Sequence, residues 1–305
     1  LEPDILLAGH LDVVPAPEEL FKPRYEGTKM YGRGACDMKG ACAVMMRIMR
    51  QIAVLEDRPN IALMLTTDEE IGGYDGTAYL VDEIGYRCKF AFIPDGGGAP
   101  DDIVVTNKGI LTLQLNARGA RAHSSRPWLG DNAINKLLDA HNRIQELFPK
   151  TYVQGSWDNT CSIGLIAGGV AANQVPDYAT CELDIRFIEG MTSDELFKRV
   201  QEKAGSDVEV VNRINGEPIV TPRDHEVIQL YVSALKDTLG LEPCFNKSEG
   251  SNDGRFLSKF GTPIIITRPV SGDQHSPKEW LETKSLQEFH DLYWEFIQRF
   301  HKGRT

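Results

Sequence analysis

The stretch LTTDEEIGG, Leu65 to Gly73, places Asp68, Glu69 and Glu70 directly behind the apolar run IALML. Three neighbouring carboxylates at the end of a buried strand repel one another and are costly to desolvate, so something positive should sit beside them. The pattern recurs along the chain. DILLAG leads to His10 and Asp12, FAFIP to Asp95, and PIIITRP to a loop carrying His275, while YGRGACDMKG sets Asp37 in a glycine-rich turn before a long helical pattern. Each alone has an ordinary explanation: a hydrogen-bonded core histidine, an N-cap aspartate, a solvated turn. Independent caps and turns, however, give no reason for acids and imidazoles to follow every apolar strand end. No Lys or Arg recurs among these positions to neutralise them. Mixed nitrogen and oxygen donors without thiolates suit zinc, with cobalt or manganese as alternatives, better than calcium or an iron–sulfur cluster. With one carboxylate available to bridge, this set of donors fits two divalent ions roughly 3.5 to 4 Å apart better than one.

The elements that must position these residues can be read from the hydrophobic pattern. Asp4 to Gly9, Asn60 to Thr66, Lys89 to Pro94 and Thr262 to Pro269 are continuous apolar runs, separated by helical patterns such as Lys39 to Leu55. Continuous rather than alternating runs indicate a mostly parallel sheet with helices on both faces, an α/β domain. Ligands of such sheets bind beyond the carboxyl ends of the strands, where the acids and histidines fall. After VVTNKG the pattern changes. ILTLQLNARG alternates as a strand, Ile134, Leu137, Leu138, His141, Ile144 and Leu147 form one helical stripe, TCSIGLIAGG and ATCELDIRFI are strands, TSDELFKRVQEKAG is a capped helix and DVEVVNRI a last strand. The order β-α-β-β-α-β describes an inserted ferredoxin-like α+β domain over residues 109–216, with residues 1–108 and 217–305 forming the metal-binding domain.

Composition narrows the partners. The balance of 33 basic against 44 acidic residues, net −11, offers no cluster that could track a phosphate backbone, which argues against nucleic acid. No apolar run is long enough to span a bilayer, and no signal peptide precedes the first strand, although the chain opens on Leu1 rather than Met. The 6 cysteines lack CxxC spacing and suit reduced thiols in a cytoplasm. Cys36, beside Asp37, reads better as a small buried residue than as a nucleophile. GRGACDMKG is not a nucleotide loop, because Asp37 stands where a third glycine belongs and no GK[ST] is present.

The segments GHLDVVP, YGRGACDMKG, TTDEEIGG, ARAHSSRP, NQVPDYATCELDIRF and SNDGRF resemble, in order and spacing, the M20 family of dinuclear-zinc peptidases and deacylases, which includes peptidase T, glutamate carboxypeptidase, acetylornithine deacetylase and succinyl-diaminopimelate desuccinylase. The resemblance implies that Asp37 bridges two ions, that His10 and Asp95 complete one site, and that Glu70 and His275 complete the other. It further implies that Asp12 orients His10 and that Glu69 is the general base of amide hydrolysis. Glu69 and Glu70 can take these separate roles because neighbouring side chains diverge on an extended backbone, and Asp68 is left as a structural turn residue. His123 matches a lid histidine that stabilises the oxyanion, usually from the partner subunit of a homodimer, and Asn173 and Arg186 match lid residues near the substrate.

The segment around the fourth ligand reads PDGG rather than GEP[ST], as in the branch of peptidase T and the dipeptidases. This tilts the expected activity toward an exopeptidase, an aminopeptidase or dipeptidase acting on short peptides. An N-acyl amino acid deacylase is the alternative with the same chemistry. A non-catalytic metal- or peptide-binding homologue is disfavoured, since every expected ligand and Glu69 are present.

Overall fold

The computed structural model describes residues 2–303. The chain forms two compact units: one runs to Asn107 and resumes at Ile219, and the other is the continuous stretch Lys108–Pro218.

The first unit is organised by a parallel sheet in which Ile5–His10 pairs on one side with Ile61–Thr66 and on the other with Phe90–Phe92, which in turn pairs with Ile264–Ile265. Both faces of this sheet are covered, which is why its strands read as unbroken apolar runs. Ile5, Leu7, Phe90, Phe92 and Ile265 face a core completed by the helices Gly40–Ile52, Glu226–Leu239 and Thr283–Lys302. Their alternates Leu6, Ala8, Ala91, Ile264 and Ile266 face a second core with Val81, Phe256 and Leu257. Phe92 packs against Tyr293 with ring centroids 4.1 Å apart, and the buried Tyr231 hydroxyl donates to the Pro100 carbonyl at 2.9 Å, so the aromatic layer keeps its polar atom satisfied.

Several elements differ from the pattern-based expectation. The helix expected from GTAYLVDEIG reaches regular α geometry only over Tyr79–Asp82, and the apolar run Thr262 to Pro269 pairs as a strand of the parallel sheet only at Ile264–Ile265. Asp102–Asn107 is a strand of a separate three-stranded sheet with Cys244–Ser248 and Ile219–Val220. A small antiparallel sheet joins Arg24–Glu26, Lys29–Tyr31, Trp280–Glu282 and Ser271–Gly272. Its strands are two or three residues long, too short to leave a periodic signature, and its central pairing, Lys29–Tyr31 with Trp280–Glu282, crosses most of the chain.

The second unit is an antiparallel sheet in the order Val208–Gly216, Gly109–Arg118, Tyr178–Phe187, Thr160–Gly168, with the helices Ala133–Gln145 and Ser193–Ala204 packed against it. This is the ferredoxin-like arrangement. Leu111, Leu113, Leu115 and Ala117 alternate inward with Leu183 and Ile185 of the next strand. The helix from Ser193 opens on a full capping box, in which the Thr192 side chain accepts from the Glu195 N–H and Glu195 accepts from the Thr192 N–H. The stripe expected on the other helix is turned: Ala133, Leu137, Ala140 and Ile144 are buried, while Leu138 is exposed. Two alanines on the inner face allow the helix to approach the sheet closely there, and the larger leucine is left outside.

Candidate metal centre

The centre lies in the first unit, at the carboxyl ends of the parallel strands. His10 is the last residue of its strand and is 2% exposed. Its Nε2 lies 3.0 Å from Oδ1 of Asp37, and Nε2 of His275 lies 3.0 Å from Oδ2 of the same carboxylate. Asp37 thus faces one imidazole with each oxygen. On the far side of His10, Nδ1 is 3.1 Å from the Asp12 carbonyl and 3.4 Å from its carboxylate, while the other Asp12 oxygen accepts from the Glu70 N–H at 3.0 Å.

Glu69 and Glu70 point apart, but not because the backbone is extended. Glu69–Ile71 is a short 3₁₀ turn closed by Gly72 and Gly73, both with positive φ. Successive residues of such a turn are splayed by about a third of a revolution. Glu70 turns toward His275, whose Nε2 is 3.4 Å from its Oε1. Glu69 lines a small cavity of about 10 Å³ with His10, Asp95, Thr77 and Asp253. Two groups of donor atoms result, one from His10, Asp37 and Glu70 and one from His10, Glu69 and Asp95, each with its atoms within 4.8 Å of one another. Asp68 turns away and caps the loop, accepting from the N–H groups of Asp75 and Gly76, both at 2.8 Å.

The electrostatics of the bare site are those of crowded carboxylates. Burial, then the charge of Asp95, pushes Glu69 up to about 9. Burial, then Asp37, pushes Asp95 up to about 7. His10 is drawn the opposite way by burial, yet its hydrogen bond to Asp37 and the charges of Asp95, Asp37 and Glu69 prevail and raise it to about 10. Asp37 is held below the usual carboxylate range despite its burial, because His10 donates to it and His275 lies beside it. A cation would relieve this arrangement. Oε1 of Glu70 and Oδ1 of Asp12 are shielded from solvent without a hydrogen bond. The donor set, imidazole nitrogens and carboxylate oxygens, fits divalent ions of the zinc type.

The positions around the donors hold residues that pattern reading passed over. Arg268 is buried and donates to Gln274 Oε1 at 3.1 Å and to Cys36 Sγ at 2.9 Å, and Gln274 donates to Oδ2 of Asp37 at 2.6 Å. The expectation that no Lys or Arg recurs among these positions to neutralise them is therefore amended: Arg268 reaches Asp37 through Gln274, and the buried Arg255, which donates to the Gly72 carbonyl at 2.7 Å, lowers the Glu69 carboxyl against the effect of its burial. Asn252 donates to the Asp95 carbonyl at 2.8 Å, and Asp253 accepts from Thr77 at 2.5 Å. SNDGRF was the signal for this pair. Arg268 had none, since a single arginine after a strand carries no spacing.

His123, Asn173 and Arg186 belong to the second unit. His123 is exposed, with Nδ1 2.8 Å from the Ser125 hydroxyl, and pairs across two short strands with Gln174. The Asn173 carbonyl accepts from the Ser124 N–H at 3.0 Å, so His123 and Asn173 share one surface of that unit. Arg186 is 30% exposed and is engaged by Asp184 of its own strand through two hydrogen bonds of 2.8 and 3.1 Å.

A parallel α/β sheet carrying clustered imidazole and carboxylate donors at its strand ends, with a ferredoxin-like unit interrupting the chain, defines a metal-dependent hydrolase. Residues 6–299 match the model of peptidase family M20/M25/M40, and the chain belongs to that family. It is 30% identical to the succinyl-diaminopimelate desuccinylase of Alkalilimnicola ehrlichii, over 97% of this chain and 84% of that one. The corresponding enzyme of Bordetella parapertussis is also 30% identical, over 95% and 81%. Among solved structures, a tripeptidase of Staphylococcus aureus superposes with a TM-score of 0.79 at 23% identity, covering 98% of this chain and 81% of that chain. An M20 metallo-carboxypeptidase of Sulfolobus solfataricus gives 0.79 at 17% identity, covering 98% and 85%. Among the described residues no helix is long and apolar enough to cross a membrane.

Proposed function

We propose that this chain is a dinuclear-metal amide hydrolase that releases an acyl group from an N-acyl amino acid. The observation that supports the chemistry is the carboxylate of Asp37 with an imidazole Nε2 3.0 Å from each of its oxygens, so that each oxygen could share an ion with a histidine. In this reading Asp37 would be shared, His10 and Asp95 would hold one ion, and Glu70 and His275 would hold the other. The ions would be zinc, with cobalt or manganese as substitutes. Bound divalent ions supply polarisation of the scissile carbonyl and acidification of the attacking water.

The remaining chemistry belongs to the chain. Glu69, beside His10 and Asp95 but turned away from Glu70, takes a proton from the attacking water and passes it to the leaving amine. Asp12 holds His10 in the tautomer that leaves Nε2 free to bind. His123, acting from the partner subunit of a homodimer, donates to the oxyanion. Asn173 and Arg186 contact the substrate, Arg186 while its Nε and Nη2 are held by Asp184.

The similarity to desuccinylases across nearly the whole chain supports the deacylase over the exopeptidase expected from PDGG. A second reading, release of a residue from a short peptide, keeps one observation in its favour: the fourth ligand is an aspartate, Asp95, not a glutamate. The test is an assay of zinc- or cobalt-loaded protein on N-succinyl and N-acetyl amino acids beside free dipeptides and tripeptides, with Glu69→Gln as control. Turnover of the acylated compounds that vanishes in the variant supports the proposal. Cleavage of free peptides alone would transfer the chain to the second reading.

A further inference from the structure

We propose that Glu279, clasped by Arg33, is a positioning residue that sets where Asp37 and His275 present their donor atoms, an inference that rests on reading those two residues as metal ligands. Glu279 is 2% exposed, so its carboxylate must be satisfied within the protein. Oε1 accepts from two consecutive backbone groups, the N–H of Cys36 at 2.9 Å and the N–H of Asp37 at 3.1 Å. Oε2 accepts from Nη1 of Arg33 at 2.6 Å, and Nη2 of the same guanidinium donates to the carbonyl of His275 at 3.1 Å. The Gly32 N–H adds a bond to the Glu279 carbonyl at 3.1 Å. One carboxylate and one guanidinium therefore fasten the peptide of Asp37 and the peptide of His275 into a single unit, although the two loops are far apart in the chain.

Glu279 is not itself a ligand of the centre. Its oxygens are taken by backbone N–H groups and by Arg33, and it belongs to neither group of clustered donors. Simple bracing is also a weak account of it. A buried ion pair is a poor stabiliser beside an apolar pair of equal volume, because desolvation offsets the attraction. What it provides instead is fixed direction: a carboxylate that accepts three bonds and a planar guanidinium that donates two define both loops in orientation as well as distance.

The His275 loop needs such support. His275 has φ of 62° and Asp273 φ of 55°, in the left-handed region that non-glycine residues occupy only where the surroundings over-determine it. The bond from Arg33 to the His275 carbonyl falls at that strained residue. His275 is 46% exposed, so packing alone does not hold its ring, and the backbone clasp is what aims it at Asp37.

The experiment is a cobalt(II) titration of the metal-free 305-residue chain, followed by the visible d–d absorption of the bound ion, with thermal unfolding of each metal-free protein in parallel. Glu279→Gln should weaken cobalt binding about 10- to 100-fold and change the shape of the absorption band, as loss of support behind a metal ligand does. Arg33→Lys keeps a charge beside Glu279 but cannot also reach the His275 carbonyl, and should give a smaller loss of affinity in the same direction. If both variants melt earlier yet bind cobalt with unchanged affinity and spectrum, the pair is structural bracing and the proposal is overturned. Should Glu279→Gln fail to fold, Arg33→Lys decides alone: unchanged affinity and spectrum overturn the proposal, and a weakened, altered site supports it. Asp37→Ala separates this from the underlying reading. Unchanged cobalt binding in that variant overturns the ligand assignment, whereas loss in Asp37→Ala with normal binding in the clasp variants overturns the clasp alone.

Discussion

Replacing Glu69 by Gln in the metal-free protein should make the fold more stable while it destroys turnover. Burial and the charge of Asp95 raise the Glu69 carboxyl from an ordinary 4.5 to about 9, so at neutral pH the bare fold takes up a proton that the unfolded chain does not hold. Each pH unit of that mismatch costs about 1.4 kcal/mol, and the interval between 4.5 and 7 amounts to about 3 kcal/mol at pH 7. Gln has the same shape and no proton to gain, and it removes that cost. Because the folded-state value is raised, the cost is absent below about pH 4, grows as pH rises toward 9, and is complete above it. The variant should therefore melt level with the wild type near pH 4 and roughly 4 to 12 °C above it at pH 7, the gap widening toward pH 9. The assay is thermal unfolding of chelator-treated proteins across that range, with turnover of the reloaded proteins alongside. The general-base role proposed for Glu69 predicts a fall in kcat of about 100- to 10,000-fold. A variant no more stable than the wild type at any pH would refute the argument that Glu69 sits, bare of metal, among carboxylates that repel it.

Three further outcomes follow from the same geometry. Chelation should abolish activity and lower the melting temperature, and zinc or cobalt should restore both, as measured by metal content and unfolding in one titration; full activity without bound metal would contradict the donor assignment. Asp68→Ala removes the acceptor for two backbone N–H groups and should cost about 1 to 3 kcal/mol in denaturant unfolding while leaving cobalt affinity unchanged, since Asp68 faces the turn rather than the centre. Leu183→Ala, at a fully buried position in the sheet of the second unit, should cost about 2 to 5 kcal/mol without altering the cobalt spectrum, because its core is separate from those beneath the donors.

The strands that carry the donors were legible because a sheet buried on both faces leaves unbroken apolar runs, and such runs need no knowledge of partners. Ile5–His10 and Ile61–Thr66 lie within a residue of where the pattern set them. The second unit was legible for the complementary reason, since Gly109–Arg118 and Tyr178–Phe187 alternate along a half-covered sheet. Asp102–Asn107 was missed because it merges with the apolar boundary before Lys108, and the four-stranded antiparallel sheet because pairs such as Trp280 with Tyr31 join segments with no local signal.

Residue type and order by themselves set His10, Asp37, Glu69, Glu70, Asp95 and His275 behind apolar strands or in glycine-rich and loop segments, where acids and imidazoles are costly to bury without a cation. Tertiary structure decided which of them meet. Asp37 meets two imidazoles because loops far apart in the chain are tied together by Glu279 and Arg33, and Glu69 parts from Glu70 because two glycines close a tight turn behind them. The clasp has neither a period nor a spacing, because it bonds groups that only the folded backbone brings within reach, whereas the glycine turn is local, closed by the Gly72 N–H on the Glu69 carbonyl.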